Sequence, residues 1–127
     1  MSISFEGIGN AGFEDEQSFV KAFCRLLLRE KLAGVRYDPS IEERFQAILE
    51  RTEQLAKLDE LTDILLHWCS SAAKPIVLMI DEVDSATNNQ VFLDFLGQLR
   101  NGYLSREDKG TPAFQSVILA GVTDVKH

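Results

Sequence analysis

The stretch "PIVLMIDEVDSA", Pro75 to Ala86, decides the fold class. Its residues Ile76 to Ile80 are all apolar, and no polar side chains alternate with them. A strand has this composition when both of its faces are covered, as in a parallel sheet, whereas a half-exposed strand alternates. Pro75 ends the helical pattern before it, because proline cannot continue a helix. The stretch therefore predicts a buried strand of a parallel sheet, followed directly by Asp81 and Glu82.

Helical patterns separate this strand from two other strand candidates. Ile3 to Phe5 is a short candidate, and Val117 to Ala120 is a second wholly apolar strand. Apolar residues recur at helical spacing in the segments between them, 15–33, 41–73 and 88–103. The order strand, helices, strand, helix, strand predicts an α/β fold with about three parallel strands and helices on both faces of the sheet. We expect residues 1–127 to form one domain.

Local signals predict where these elements begin and end. The signals are a capping box at Ser40 and Glu43, a helix cap at Asn88, and a polar loop from Ser105 to Gln115. The apolar pattern over 41–73 fits either one long helix or two shorter ones. If there are two, a break is expected near Gln54 to Leu58.

Composition excludes several classes of protein. The 127 residues are 45% hydrophobic and carry a net charge of −7. The chain can therefore bury a core, and its acidic surface is unfavourable for direct binding to nucleic acid. The longest apolar run is far too short to span a bilayer, and the sequence does not begin with a signal segment. Cys24 and Cys69 form no ligand pair and are expected to be reduced core residues of a cytoplasmic protein.

Asp81 and Glu82 leave the predicted strand at the edge where open parallel sheets bind ligands. Asp81 can hold a water of a Mg²⁺ shell, because this ion takes oxygen ligands and retains most of its waters. Glu82 points elsewhere and can accept a proton from an attacking water. An apolar strand followed by Asp-Glu is the Walker B arrangement of ATPases. The alternative is that both acids are simply solvated, which is the more ordinary interpretation of Asp84.

The third strand ends in "GVTD", Gly121 to Asp124. If this strand neighbours the second, Thr123 or Asp124 lies beside the acids and can orient the attacking water, as a sensor residue does. An ordinary turn is an equally good interpretation of these residues. Arg100 and Arg106 are candidates for stabilising phosphoryl charge, although a position in solvent is the simpler expectation.

The glycines of "SFEGIGNAGFEDE", Ser4 to Glu16, spell G-x-G-x-x-G. In a dinucleotide site this pattern opens a helix whose positive N-terminus faces the pyrophosphate. Here the helix begins with Glu14, Asp15 and Glu16, whose carboxylates would repel a pyrophosphate, so a loop at a strand exit is the better interpretation. The phosphate cradle of an ATPase, G-x-x-x-x-G-K-[ST], does not occur in the 127 residues.

Three blocks of the sequence together resemble the AAA-like ATPase family of bacteria: "ISFEGIGNAGFEDEQSF", "VLMIDEVDSATNNQVFLDFLGQLRNGYLSR" and "FQSVILAGVTDVKH". This family consists of P-loop ATPases that are often fused to a nuclease-like C-terminal domain. The resemblance covers most of the chain and is weakest over 34–57. It implies that Ile3 to Phe5 is the second strand of an ATPase sheet, followed by the Walker B strand and the sensor strand. It also implies a magnesium role for Asp81, water activation by Glu82, and a sensor role for Thr123, with Asp124 as its rival.

The resemblance also implies which parts of such an ATPase are missing. The strand and helix that cradle the nucleotide would precede Met1, and the last core strand and any nuclease-like domain would follow His127. We therefore expect the core fragment of an ATP-binding, Mg²⁺-dependent ATPase that binds ATP weakly or not at all by itself. The apolar sheet edge left by the missing first strand invites self-association. Two other functions stay open: a non-catalytic protein-interaction module, and a small metal-dependent hydrolase that uses Asp81, Glu82 and Asp84.

Overall fold

A computed structural model of the chain describes residues 2–5, 10–32, 39–51, 55–72, 76–81, 83, 89–109, 114 and 116–121. The elements, in chain order, are β1 (Ser2–Ser4), a 3-10 turn (Asn10–Phe13), α1 (Glu16–Leu32), α2 (Pro39–Glu50), α3 (Leu58–Ser71), β2 (Val77–Asp81), α4 (Gln90–Lys109) and β3 (Ser116–Leu119). This is the predicted alternation of strands and helices. None of the helices in these ranges combines the length and the apolar character that a membrane span requires.

The sheet has the order β1-β2-β3, and both pairs of neighbouring strands are parallel. Ile3 of β1 lies opposite Ile80 of β2, and Leu78 of β2 lies opposite Val117 of β3. The expected parallel sheet is confirmed, and so is the expected adjacency of the second and third strands. Each strand is displaced by one residue from its predicted bounds, so Asp81 is the last residue of β2 and not the residue after it.

The helices cover one face of this sheet. Leu78 and Ile80 are fully buried, whereas Met79 between them is 38% exposed and Ile118, its partner in register, is 46% exposed. The expectation of helices on both faces is therefore wrong for the described residues, and we call the face with Met79 and Ile118 the open face. The reason is topological. Both crossovers move the chain in the same direction across the sheet, and right-handed crossovers in one direction place their helices on one face.

Phenylalanine rings form the centre of the core beneath the covered face. Phe5, directly after β1, makes edge-to-face contacts at centroid distances of 5.2 to 6.3 Å with Phe13, Phe19, Phe23 and Phe92. Phe95 of α4 adds a contact with Phe23 of α1 at 4.9 Å. Such ring pairs stabilise a core beyond the area that they bury, so this cluster fixes α1 and α4 against the end of β1.

The apolar pattern over 41–73 belongs to two helices, α2 and α3, and their junction overlaps the region expected for a break. Side chains from α1 and α3 satisfy backbone groups at this junction. Glu16 Oε1 accepts a hydrogen bond from Leu58 N at 2.8 Å, and Lys21 Nζ donates to Arg51 O at 2.9 Å. Arg51 also forms an ion pair with Glu60 at 2.6 Å. These contacts supply the partners that helix ends lack and hold α2 and α3 on α1.

Three predicted element ends are wrong. α2 begins at Pro39, so Ser40 lies in its first turn and does not cap it. Proline is favoured at that first position, because its missing N–H would have no helical partner anyway. Asn89, and not Asn88, caps α4: Asn89 Oδ1 accepts a hydrogen bond from Phe92 N at 3.0 Å. α4 continues to Lys109, so the first part of the predicted polar loop is helical.

Candidate functional site at the carboxyl edge of the sheet

β2 carries Asp81 to the carboxyl edge of the sheet, the edge at which the parallel strands end. Ser4, the last residue of β1, lies opposite Asp81 in register. Successive side chains of a strand alternate between the two faces, so Asp81 shares the open face with Met79, while Ile80 points into the core. A carboxylate and a hydroxyl thus end adjacent strands on the open face, at the edge where parallel sheets bind ligands.

The backbone ladder between β2 and β3 continues past both strand ends. Ala120 N donates to Ile80 O at 2.9 Å, and Val83 N donates to Ala120 O at 3.2 Å. The segments that leave β2 and β3 therefore start side by side at the carboxyl edge. A residue that follows β3 can act together with Asp81 only if the two strand ends are adjacent in this way.

Of the predicted site residues with a carboxylate or hydroxyl group, the structure describes Asp81. Glu82, Asp84, Thr123 and Asp124 lie outside the described residues. The geometry of the site is therefore established up to the ends of β2 and β3. The roles of Glu82, Thr123 and Asp124 stay predictions from the sequence.

Arg100 does not belong to the carboxyl edge. It is exposed on α4 and lies eleven residues after Asn89, which places it about 16 Å along the helix axis from the cap. It borders instead an apolar cavity of about 350 Å³ between α3, α4 and β3. The simpler expectation for Arg100, a position in solvent, is confirmed, and its position does not support a role at phosphate. The side chain of Arg106 lies outside the described part of the chain.

Asn89 joins two segments at the carboxyl edge and was not among the residues expected from the sequence. Its Oδ1 caps α4 through Phe92 N, and its Nδ2 donates to Phe13 O at 2.9 Å. Phe13 ends the 3-10 turn that follows β1, so one side chain ties the start of α4 to the connection between β1 and α1. An asparagine before a helix signals the cap, but no local signal predicts a contact across 76 positions.

Two backbone donors at the start of α1, Ser18 N and Phe19 N, are engaged within the chain. Asp15 Oδ1 accepts a hydrogen bond from Ser18 N at 2.7 Å, and Asp15 O accepts one from Phe19 N at 3.1 Å. The hydrogen bonds from Ser18 lower the pKa of Asp15, so its carboxylate stays ionised at the helix N-terminus. An ionised carboxylate there competes with a phosphate for the same positive helix end. This geometry argues against a pyrophosphate site at the start of α1. Of the three glycines of the motif, Gly12 lies in the 3-10 turn, and Gly7 and Gly9 lie outside the described residues.

Magnesium fits the donor chemistry at the end of β2. Asp81 and Ser4 offer oxygen ligands, which this hard cation prefers. Within the described ranges, no group of three or more His, Cys, Asp or Glu side chains could hold a metal ion. Mg²⁺ keeps several waters and binds through one or two carboxylates plus the phosphates of a substrate. A single strand-end aspartate is therefore suited to a magnesium–nucleotide complex more than to a protein-only metal cage.

Comparisons with known proteins give no family for this chain. No protein-family model matches it, no curated protein matches it, and no solved structure matches its fold. A functional proposal therefore depends on the geometry of the carboxyl edge and on the residues that follow β2 and β3.

Proposed function

We propose that the chain is the core of a cytoplasmic, ATP-binding, Mg²⁺-dependent ATPase of the AAA-like kind. One observation carries this proposal: an apolar strand at the centre of a parallel sheet ends in Asp81, with Glu82 next in the chain. The three sequence blocks that resemble the family support it. Because the 127 residues contain no phosphate cradle, a longer parent protein would supply it. The chain by itself would then bind ATP weakly or not at all.

The open face of the sheet supports the same proposal. Consider a strand that lies beside β3 and precedes β1 in the parent chain. Its connection to β1 would cross the sheet in the direction opposite to the two connections described above. A right-handed crossover in that direction places its helix on the open face, over Met79 and Ile118. The reversal would also create a topological switch point next to β3, and open α/β sheets bind nucleotides at such points.

The residues at the carboxyl edge would have separate tasks in this ATPase. Magnesium, when bound with the nucleotide, would neutralise charge on the phosphates. Asp81 would hold a ligand water of the ion on the open face, and Glu82 would accept a proton from the attacking water. Thr123, with Asp124 as the alternative, would orient that water from the segment after β3.

The test is ATP hydrolysis by the parent protein that carries Glu82→Gln, a change that removes the base and keeps the size of the side chain. We expect turnover to fall by about 100-fold or more, the usual contribution of a general base, while ATP binding is retained. Glu43→Gln is the matched control, because Glu43 is exposed on α2 and α2 packs on α1 and α3. Turnover that is the same in both variants and in the unmodified protein would refute the role of Glu82.

A non-catalytic interaction module is the second candidate, and the exposed Ile118 and Leu119 at the edge of the sheet favour it. Titration of the parent protein with Mg²⁺–ATP separates the two candidates, since a scaffold of this kind binds no nucleotide. A small metal-dependent hydrolase that uses Asp81, Glu82 and Asp84 makes a different prediction. Mn²⁺ would then bind to the 127-residue chain in the absence of nucleotide.

A further inference from the structure

β3 is an edge strand with exposed apolar side chains on both faces. Within the three-stranded sheet it pairs with β2 alone. Its residues, Ser-Val-Ile-Leu, include no charge and no proline, and Ile118 and Leu119 are both more than 40% exposed. Charges, proline and bulges normally protect the edges of sheets, because an unprotected edge pairs with further strands. The described residues of β3 show none of these protecting features.

The backbone of β3 presents hydrogen-bonding groups at this edge. Ala120 directs both its N–H and its carbonyl towards β2. Alternate residues of a strand direct these groups to opposite sides, so those of Val117 and Leu119 face away from β2. An edge strand with outward N–H and carbonyl groups is a template for another strand.

An apolar groove lies next to β3 on the covered face of the sheet. It is the cavity of about 350 Å³ between α3, α4 and β3, and its lining includes Leu66, Leu99, Tyr103, Phe114 and Leu119. Tyr103 and Leu119 are also exposed to solvent, as are Met79 and Ile118 on the open face. Apolar surface therefore flanks the backbone of β3 on both faces of the sheet.

We propose that β3 of one copy pairs antiparallel with β3 of a second copy and joins the two sheets into one. A twofold axis perpendicular to the sheet would keep the covered faces on the same side. Tyr103 and Leu119 of one copy would then meet the groove of the other. Pairing of a strand with its own equivalent closes the assembly at two copies. The opposite edge is a poor partner, because β1 is three residues long and reads Ser-Ile-Ser.

The size of the exposed surface determines the expected strength of this dimer. Met79, Tyr103, Ile118 and Leu119 are 38–46% exposed, which leaves roughly 300–400 Å² of apolar surface per copy. A standard interface buries about 800 Å² per partner, so the dimer is weak even with the strand backbone included. We expect a dissociation constant on the order of 10–100 µM.

Charge gives the association a characteristic dependence on salt. Each copy has a net charge of −7, so electrostatic repulsion opposes dimerisation at low ionic strength. Salt screens this repulsion and should strengthen the dimer. An interface held together by ion pairs would show the opposite dependence. The inference concerns the 127-residue chain by itself and does not rest on the proposed ATPase function. In the proposed parent ATPase a further strand would lie beside β3 and occupy the same edge, so this dimer would not form there.

Sedimentation equilibrium of the chain from about 5 to 500 µM, at low and at moderate salt, tests the proposal. We expect a monomer–dimer equilibrium that shifts towards the dimer with salt. Ile118→Lys should raise the dissociation constant about tenfold or more, because it places like charges close to the twofold axis. Leu55→Lys is the matched control: it makes the same change in charge at a leucine that is 62% exposed and lies between α2 and α3. The dissociation constant of this variant should stay within about twofold of that of the unmodified chain.

A second variant covers the case in which Ile118→Lys does not fold, as judged by circular dichroism. Leu119→Pro removes an outward N–H and leaves the ladder to β2 intact, as proline on an edge strand does, and should weaken the dimer as well. A chain that stays monomeric at the highest concentration would overturn the proposal. So would a dimer that neither edge variant weakens, or an open series of larger species, which would indicate pairing of β3 with a different edge.

Discussion

Asn89 makes two contacts that two substitutions can separate. Asn89→Asp keeps the oxygen that accepts from Phe92 N and removes the amide group that donates to Phe13 O. Asn89→Ala removes both contacts. The two variants should therefore destabilise the chain by different amounts, even though they alter the same position at the start of α4.

The expected losses follow from the two hydrogen bonds at 3.0 and 2.9 Å. A helix N-cap contributes about 1 kcal/mol, and a side-chain bond to a partly buried carbonyl contributes about 1 kcal/mol. Asn89→Ala should thus lower the free energy of unfolding by about 2 kcal/mol, equivalent to roughly 6–10 °C in Tm. For Asn89→Asp the lost bond to Phe13 is partly offset by about 0.3–1 kcal/mol from a negative charge at the helix N-terminus. Its net loss should be about 0.5 kcal/mol.

Urea unfolding at about 2 µM, below the range in which a dimer would form, measures these differences. Asn88→Ala is the natural comparison, because the sequence alone favours Asn88 as the cap. We expect this variant to change the free energy of unfolding by less than about 0.5 kcal/mol. A larger loss for Asn88→Ala than for Asn89→Ala would show that the wrong asparagine has been assigned. Equal losses for the two Asn89 variants would show that the cap on Phe92 N contributes nothing, because that hydrogen bond is the one that Asn89→Asp keeps and Asn89→Ala removes.

Three further predictions concern stability and reactivity. A Cβ added at Gly97 meets nothing within 4 Å, whereas a Cβ added at Gly102 lies 3.3 Å from Leu66 Cδ2. Gly97→Ala should therefore stabilise α4 by up to about 1 kcal/mol, and Gly102→Ala by less. Equal gains in the free energy of unfolding, measured in urea, would contradict this. Burial raises the pKa of Glu60, but the hydrogen bond and charge of Arg51 together with the hydrogen bond from Lys57 N outweigh it and hold the pKa below 4.5. The stabilisation from Glu60 is therefore present above about pH 4.5 and is lost as the pH falls through the lower pKa of Glu60 in the folded chain. The difference in the free energy of unfolding between the unmodified chain and Glu60→Gln should shrink between about pH 6 and pH 3. A difference that does not depend on pH would count against the ion pair. Burial raises the pKa of the Cys24 thiol to about 12, so iodoacetamide at about pH 8 should modify it about 100-fold more slowly in the folded chain than in urea; similar rates would show that Cys24 is accessible.

The order of the elements could be predicted because burial leaves a periodic pattern in the sequence. The contiguous apolar run of β2 indicates a buried strand, and the helical spacing of apolar residues in α1 indicates a helix with one buried face. Parallel pairing followed from the alternation of strands and helices, which leaves few allowed topologies. The position of Asp81 at the carboxyl edge followed in turn, since it required only that β2 exists and is parallel to its neighbours.

Features that depend on contacts between segments distant in the sequence could not be predicted in the same way. The apolar residue Met79 shows that a face of β2 is suited to burial, but the sequence does not show whether a helix covers it. The C-terminal part of α4 around Arg106 has no apolar period, yet its arginine, glutamate and lysine residues have high intrinsic helix propensity. The contact of Asn89 with Phe13 joins segments that the sequence treats as unrelated. The distance of Arg100 from the carboxyl edge depends on α4 being one continuous helix, which the sequence does not establish.

The decisive experiment is calorimetric titration of the proposed longer parent protein with ATP, with and without Mg²⁺. If Asp81 holds the ion, Mg²⁺ should raise the affinity for ATP in the unmodified protein, and Asp81→Asn should abolish that increase. Asp63→Asn, the same change at an exposed position of α3, should leave the increase intact. A parent protein that binds no ATP, or an effect of Mg²⁺ that is as large in Asp81→Asn as in the unmodified protein, would contradict the proposed ATPase site.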